Sequence, residues 1–266
     1  MRRPGFQALA LLLLAAAGPA SAQERVSNAR TERRQVTQPI EREIQAVAAR
    51  GDAAWVGYRL AAVPYARQLC NAPVQLEPAK EMIVLVRVAS GAIDRLRTFT
   101  PNCEIDAGDM PMTWLDGVTP DASATWLTTI IRTAPTNGAR DSSLMQPAMS
   151  ALELNPGTVA LNTLVGFARD DTRTNVRSRA LNALAQRAEQ EASATIQNAI
   201  NNDPDTDVKK TAVGALSRMP KDEGIPLLIQ VARNNKNVDV RKQAMFWLGE
   251  SKDPRAVTFF EEILKK

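Results

Sequence analysis

Three nine-residue segments set 32 residues apart constrain this chain more than any other feature. "VRSRALNAL" begins at Val176, "VKKTAVGAL" at Val208 and "VRKQAMFWL" at Val240. A poorer copy, "LMQPAMSAL", begins another 32 residues upstream at Leu144. The first position is apolar in all four (Leu144, Val176, Val208, Val240), the fifth is Ala (Ala148, Ala180, Ala212, Ala244) and the ninth is Leu (Leu152, Leu184, Leu216, Leu248). Apolar residues at positions 1, 5, 6 and 9 fall on one face of a helix with 3.6 residues per turn. The small Ala lets neighbouring backbones approach closely. A second register with the same period holds "ALNTLVGFA" from Ala160, "ASATIQNAI" from Ala192, "GIPLLIQVA" from Gly224 and "AVTFFEEIL" from Ala256. These too carry an apolar stripe, and Pro226 fits only near the start of its helix, where a missing N–H costs little.

Each unit therefore reads as helix, short turn, helix and polar loop. One helix pair cannot bury both its faces alone, whereas a stack of three or more buries a continuous core. About four pairs fit between residues 142 and 266, and the charged end of "FFEEILKK" reads as a solvent-facing cap. The last unit, "NKNVDVRKQAMFWLGESKDPRAVTFFEEIL", resembles a HEAT repeat of the phycobilisome-lyase-like class at Asp239, Val240, Arg241, Ala244, Leu248, Gly249, Asp253, Pro254, Ala256 and Val257. The resemblance covers roughly Ser142 to Lys266 and implies an all-α HEAT-like solenoid there.

The N-terminal half has a different texture. "QERVSNARTERRQV" is polar and charged, and residues 23–39 read as a flexible tail. "PIEREIQAVAAR" followed by Gly51 reads as a short helix with a Gly stop. "AWVGYRLAAVP" and "EMIVLVRV" are strand material, and Ser90-Gly91 is a turn leading into a partner strand, "AIDRLRTF". "CEIDAGDMPMTWL" holds two shorter strand candidates around Ala107-Gly108. Thr119 and Pro120 are N-cap and first residue of a helix, "PDASATWLTTIIRTA". Residues 40–134 thus read as a small α+β domain of three or four antiparallel strands, with residues 135–141 as a linker to the solenoid. The fold class expected is α+β overall. A Trp-x-x-Tyr element, two Cys and a "WLDGV" stretch ahead of the repeats also resemble exported bacterial proteins of this build, which implies a shared architecture and no particular activity.

The first residues, "MRRPGFQALALLLLAAAGPASAQ", have a basic start, a short apolar run and the small-x-small site Ala20-Ser21-Ala22. This is the three-part build of a secretory signal peptide over residues 1–22, cleaved after Ala22. The apolar run is too short to stay as a membrane helix. The expected address is periplasmic or secreted, with no membrane span after cleavage. Cys70 and Cys103 are the two cysteines. In an oxidising compartment an even pair reads as one disulfide, the alternative being two buried free thiols. A redox-active pair is disfavoured because no CxxC is present.

Charge and composition exclude several chemistries. Without Arg2 and Arg3, 31 Lys and Arg face 29 Asp and Glu, so no basic stripe for nucleic acid is expected. The chain has no histidine. That removes the commonest general base, the commonest metal ligand and every Ser-His or Cys-His nucleophile. Asp203, Asp205 and Asp207 alternate as calcium ligands do, but Val208 and Lys209 follow and position twelve is Gly214 where a Glu is needed. In register, Asn175, Asp207 and Asp239 precede their helices and read as N-caps. The HEAT resemblance implies a ladder between units made by these residues with Arg177, Lys209 and Arg241. The functional alternative is that Arg177 and Arg241 read acidic groups on a partner. Glu104, Asp106 and Asp109 need no explanation beyond turn chemistry. Trp114, next to an expected edge, is the aromatic singled out for surface contact.

The function expected is therefore a non-catalytic, exported scaffold or adaptor that binds a protein partner in the cell envelope. No catalytic, metal or cofactor residue is assigned. The alternatives are an envelope-polymer binder using Trp and Tyr, or an accessory to a lyase-like enzyme, since the repeats resemble those of bilin lyases. They also resemble those of a di-iron hydroxylase, whose His-Glu motifs cannot exist here.

Overall fold

The computed structural model describes residues 25–64, 66, 70, 76–134, 139–187 and 190–265. The signal peptide expected over residues 1–22 lies outside them. Of the expected linker, residues 139–141 already belong to a helix and residues 135–138 lie outside the described set. Seven strands and ten helices are present among the described residues.

The first half carries strands β1 (Val26–Ser27), β2 (Thr31–Gln35), β3 (Ala54–Ala61), β4 (Glu81–Ala89), β5 (Ala92–Phe99), β6 (Ile105–Asp106) and β7 (Met112–Asp116), with helices α1 (Ile40–Ala48) and α2 (Pro120–Thr133). Strands β2, β7, β3, β4 and β5 form one sheet in that order, and β1 pairs with β6 apart from it. β3, β4 and β5 form the expected antiparallel meander, with Ser90 and Gly91 both at positive φ in the tight turn. The rest differs from expectation. β7 runs parallel to β3, and β2 runs parallel to β7, so the sheet is mixed.

The residues read as a flexible tail supply β1 and β2. All five residues of β2, "TERRQ", are exposed, so no apolar alternation marks the strand. Backbone pairing to β7 holds it, helped by the Arg33–Asp116 ion pair at 2.6 Å and by Glu32, which accepts from Thr113 Oγ1 at 2.8 Å and Arg50 Nη1 at 2.9 Å.

Period-2 alternation sorts the strand side chains. Val56, Tyr58, Leu60, Met82, Val84 and Val86 face α1 and α2, while Trp55, Ile83, Leu85, Met112 and Trp114 form a second cluster on the opposite face. Both faces are covered, which is why β3 and β4 are buried almost end to end. The Cys70–Cys103 disulfide is formed, with Cα atoms 5.8 Å apart, and ties the segment after β3 to the one after β5.

The second half is a helical stack: α3 (Ala139–Leu154), α4 (Thr158–Asp170), α5 (Thr174–Leu184), α6 (Gln190–Asn202), α7 (Thr206–Leu216), α8 (Lys221–Asn234), α9 (Val238–Glu250) and α10 (Pro254–Leu264). The repeat register is the core register. Val176, Val208 and Val240, all four Ala of position five, and Leu152, Leu184, Leu216 and Leu248 are buried; only Leu144 is partly exposed. α5, α7 and α9 stack as one row, and α2, α4 and α6 as the other. Thus α2, read from sequence as part of the sheet domain, also begins the second row. One apolar cluster runs without a break from Ile40 to Phe259.

α8 begins at Lys221, so Pro226 lies in its second turn rather than its first. Its Gly224 occupies the small position held by Ala in the other units, and an added Cβ would overlap the Leu216 carbonyl oxygen. Gly224→Ala sets a helix gain of about 1 kcal/mol against an overpacking cost of about 1–3 kcal/mol. Because the obstacle is backbone, thermal unfolding is expected to show net destabilisation; a rise in Tm would mean that α8 does not approach α7 this closely.

Candidate interaction surface

The loops between units build a repeated polar frame. Asp171, Asp203 and Asn235, again 32 apart, each accept through Oδ1 the backbone N–H two residues on, at 2.9 Å in every case. The helix caps lie two residues further along. Asp205 Oδ1 accepts from Asp207 N at 2.8 Å and Val208 N at 3.2 Å, and Asn237 Oδ1 accepts from Asp239 N at 2.9 Å and Val240 N at 3.3 Å. Asp207 and Asp239 are therefore not the caps the sequence suggested, and neither is Asn175, whose Oδ1 bonds Val176 N inside the first turn. These two loops each offer two short acceptor side chains, and the earlier one holds the extended backbone that a cap requires, at φ −98° for Asp205 and −80° for Asn237; before α5 the cap position is Arg173, which makes no such bond. Asp207 and Asp239 sit inside the first turn, where their charge suits the helix dipole, and pair with Lys210 at 2.7 Å and Lys242 at 3.9 Å.

A ladder contact between units exists at Arg177. Its Nε donates to Asp203 Oδ2 at 2.8 Å and its Nη2 to Asp203 Oδ1 at 3.1 Å, while Nη1 reaches the carbonyls of Asp171 and Thr172 at 2.9 and 3.2 Å. The side chains of Arg177 and Asp203 are 8% and 4% exposed, so Arg177 is not available to a partner. The bonds it donates to the Asp203 carboxylate hold its guanidinium protonated above the ordinary value. Burial pushes the Asp171 carboxyl up, but bonds from the Arg173 side chain and N–H outweigh this and hold it below its usual range. Lys209 and Arg241 fold back on their own loops: Lys209 Nζ bonds the Asn201 carbonyl at 3.1 Å, and Arg241 Nη1 bonds those of Asn235 and Lys236 at 2.7 and 3.2 Å. Asp203 was missed as the ladder acid. Extending the repeat register five residues upstream of Val208, where Asp171 and Asn235 fall in line, would have found it.

The N-terminal candidates disperse. Trp114 is 3% exposed, because β2 flanks β7 on the outside and makes it an interior strand. Its ring packs over Gly57, where a Cβ would come within 2.9 Å of Cζ3. Asp106 accepts from Gly108 N and Asn28 Nδ2, bonds that keep its carboxyl ionised below the usual range. Glu104 lies 3.9 Å from Arg25. Among the described residues, no three His, Cys, Asp or Glu converge as metal ligands.

The far end of the stack is where buried chemistry becomes surface. Leu228 is buried, yet its counterpart Phe260 is only partly so; Ile225, Ala232 and Val213 are buried, while Val257, Leu264 and Met245 in their places are not. Gly214 on α7 faces the Trp247 ring of α9, so Phe246, its counterpart on α9, faces beyond the last unit. Phe246, Val257, Ile263 and Leu264 are 56, 57, 37 and 84% exposed. The charged cap expected from "FFEEILKK" is incomplete: Glu261, Glu262 and Lys265 are at the surface, but beside apolar residues that in other units are core. Glu262 pairs with Arg233, whose guanidinium lies 5.3 Å from the Phe259 ring centroid.

The fold defines a class: a helical-repeat solenoid closed at its front by a mixed sheet. Residues 161–244 match the family described as HEAT repeats, and residues 240–266 match the PBS lyase HEAT-like repeat, so the matched part of the stack is built of HEAT-type repeats. The complex of CpcE and CpcF of phycocyanin lyase from Nostoc sp. PCC7120 is 19% identical, with a TM-score of 0.39, over 53% of this chain and 90% of that one. The comparison with curated proteins gives no match.

Asp203→Ala leaves Arg177 buried without its counter-charge, an expected loss of about 3–5 kcal/mol. In urea denaturation the double replacement Arg177→Met, Asp203→Leu should recover most of that loss, while Asp207→Ala changes stability by about 0.5 kcal/mol or less. Equal effects from Asp203→Ala and Asp207→Ala would contradict this assignment of the ladder.

Proposed function

We propose that the protein is an exported scaffold that binds another protein through the open end of its solenoid and performs no chemistry of its own. The observation that carries this reading is the exposure of Leu264 and the partial exposure of Phe260, where the counterparts Ala232 and Leu228 are core, beside exposed Phe246, Val257 and Ile263. Four large apolar side chains exposed on the last two helices are more than the single scattered exposures of an ordinary surface. Stacking against them continues the packing that every earlier unit already uses.

Two features taken together support an exported address. The N-terminal "MRRPGFQALALLLLAAAGPASAQ" supports export, with cleavage after Ala22, and the Cys70–Cys103 bridge suits an oxidising environment. No helix among the described residues is long and apolar enough to cross a membrane. The polymer-binding alternative loses its chosen residue, since Trp114 is enclosed between strands.

A photo-crosslinking residue placed at Leu264 or Phe246, with the protein in its native compartment, tests the reading by mass spectrometry of the adducts. Protein adducts are expected at both positions and none at buried Ala212. Absence of any protein adduct at Leu264 and Phe246 would defeat the proposal.

A further inference from the structure

We propose that the cleft between α7, α8 and α9 binds a small zwitterion with an apolar body, as carried by a free apolar amino acid or a short apolar peptide: Arg218 and Lys221 take the carboxylate, Glu250 takes the ammonium, and Ile225, Leu228 and Trp247 take the apolar part. This cleft faces the preceding unit and is separate from the open end.

The cleft lies where the repeat is broken. At position eight of the first register three units carry Ala (Ala151, Ala183, Ala215) and the last carries Trp247, whose ring lies against Gly214 of α7. In the second register Gly224 stands where the other units have Ala160, Ala192 and Ala256. Trp247 and Gly224 both line the cleft, which has a volume of about 330 Å³. That falls within the range of small-ligand sites, about 300–1,000 Å³. The deep part of the lining is apolar: Ile225 and Leu228 are buried, and Trp247 is partly so.

The rim is charged, and its charges do not satisfy one another. Arg218, Lys221 and Glu250 line the cleft and are exposed. Arg218 donates to the Asn182 side-chain oxygen and Lys221 Nζ to the Ser251 carbonyl at 3.3 Å. Among the described residues neither cation pairs with a carboxylate, and the Glu250 side chain has no hydrogen bond or ion pair. Desolvation lowers the pKa of the Arg218 guanidinium, and no carboxylate offsets it. Arg218 and Glu250 hold the same place in successive units, 32 residues apart, so they project from neighbouring helices of one row. Packed helix axes lie roughly 8–10 Å apart, a gap that a small molecule bridges. A plain anion would meet Glu250, and a plain cation would meet Arg218 and Lys221; a ligand with both signs pairs with all three.

Isothermal titration of the purified, disulfide-bonded full chain with L-leucine and with L-leucyl-L-leucine tests this. A Kd of about 1 mM or tighter is expected for at least one of them. Isocaproate keeps only the carboxylate of leucine and isoamylamine only its ammonium, and each should bind about tenfold or more weakly than the tighter zwitterion. Glu250→Gln should remove most of the preference over isocaproate, and Arg218→Gln most of the preference over isoamylamine. Far-UV CD and Tm should stay unchanged, since both side chains are exposed. Tighter binding of the dipeptide assigns the cleft to peptide ends, and tighter binding of leucine to free amino acids. No binding of either zwitterion up to about 10 mM, isocaproate or isoamylamine binding as tightly as the zwitterion, or affinities indifferent to both substitutions would overturn the inference.

Discussion

Helix α2 has two faces to bury and no single neighbour that can bury both. On one side Ala124, Trp126 and Leu127 enter the core shared with the sheet. The Tyr58 hydroxyl lies 3.0 Å from Ser123 Oγ, and the Tyr58 and Trp126 rings meet edge to face. Burial keeps that phenol protonated far above the usual range, so the bond persists at any physiological pH. On the other side α2 meets the stack. Thr128 bonds Thr163, Asn155 Nδ2 donates to the Pro120 carbonyl, Asp121 accepts from Val159 N, and Arg173 Nη1 reaches the Ile131 carbonyl at 3.0 Å. The helix is at once the last element of the sheet unit and the first of the repeat array. A solenoid needs its first unit covered, and the sheet supplies that cover through α2.

The two ends of the array are consequently unlike. At the front each apolar position has a neighbour, and the buried Arg177–Asp203 pair fixes how one unit sits on the next. A buried pair of this kind adds little net stability, but removing one partner costs much more. At the back the same positions carry Val257, Phe260 and Leu264 with nothing over them among the described residues. The asymmetry leaves apolar side chains exposed at one end of the array, among charged ones.

Much of the stack was legible because its signal is additive. Four copies of an apolar position, spaced by 32, outweigh any single misfit, and the buried Ala and Leu rows follow from it. The meander was legible from "EMIVLVRV" and the Ser90-Gly91 turn, and the cysteine pair from its number. What escaped was decided by partners distant in sequence. β2 has no apolar face, so only its bonds to β7, some eighty residues on, reveal it. Once β2 is in place, Trp114 moves from an expected edge to the interior. The caps were displaced by two residues because Asp205 and Asp207, or Asn237 and Asp239, are chemically alike and only backbone conformation separates them. The open end was hidden by its charges: "FFEEILKK" has the composition of a cap, and only comparison of burial, unit against unit, shows its apolar face uncovered.

If α2 joins sheet and stack into one structure, their backbone amides cannot open independently. Hydrogen exchange read by mass spectrometry at increasing urea measures this directly. The amides of β3, β4, α2, α4 and α5 should lose protection in one transition with a common midpoint, with α10 opening earlier. Two separate transitions, in which β3 and β4 open at one urea concentration and α4 and α5 at another, would contradict the account.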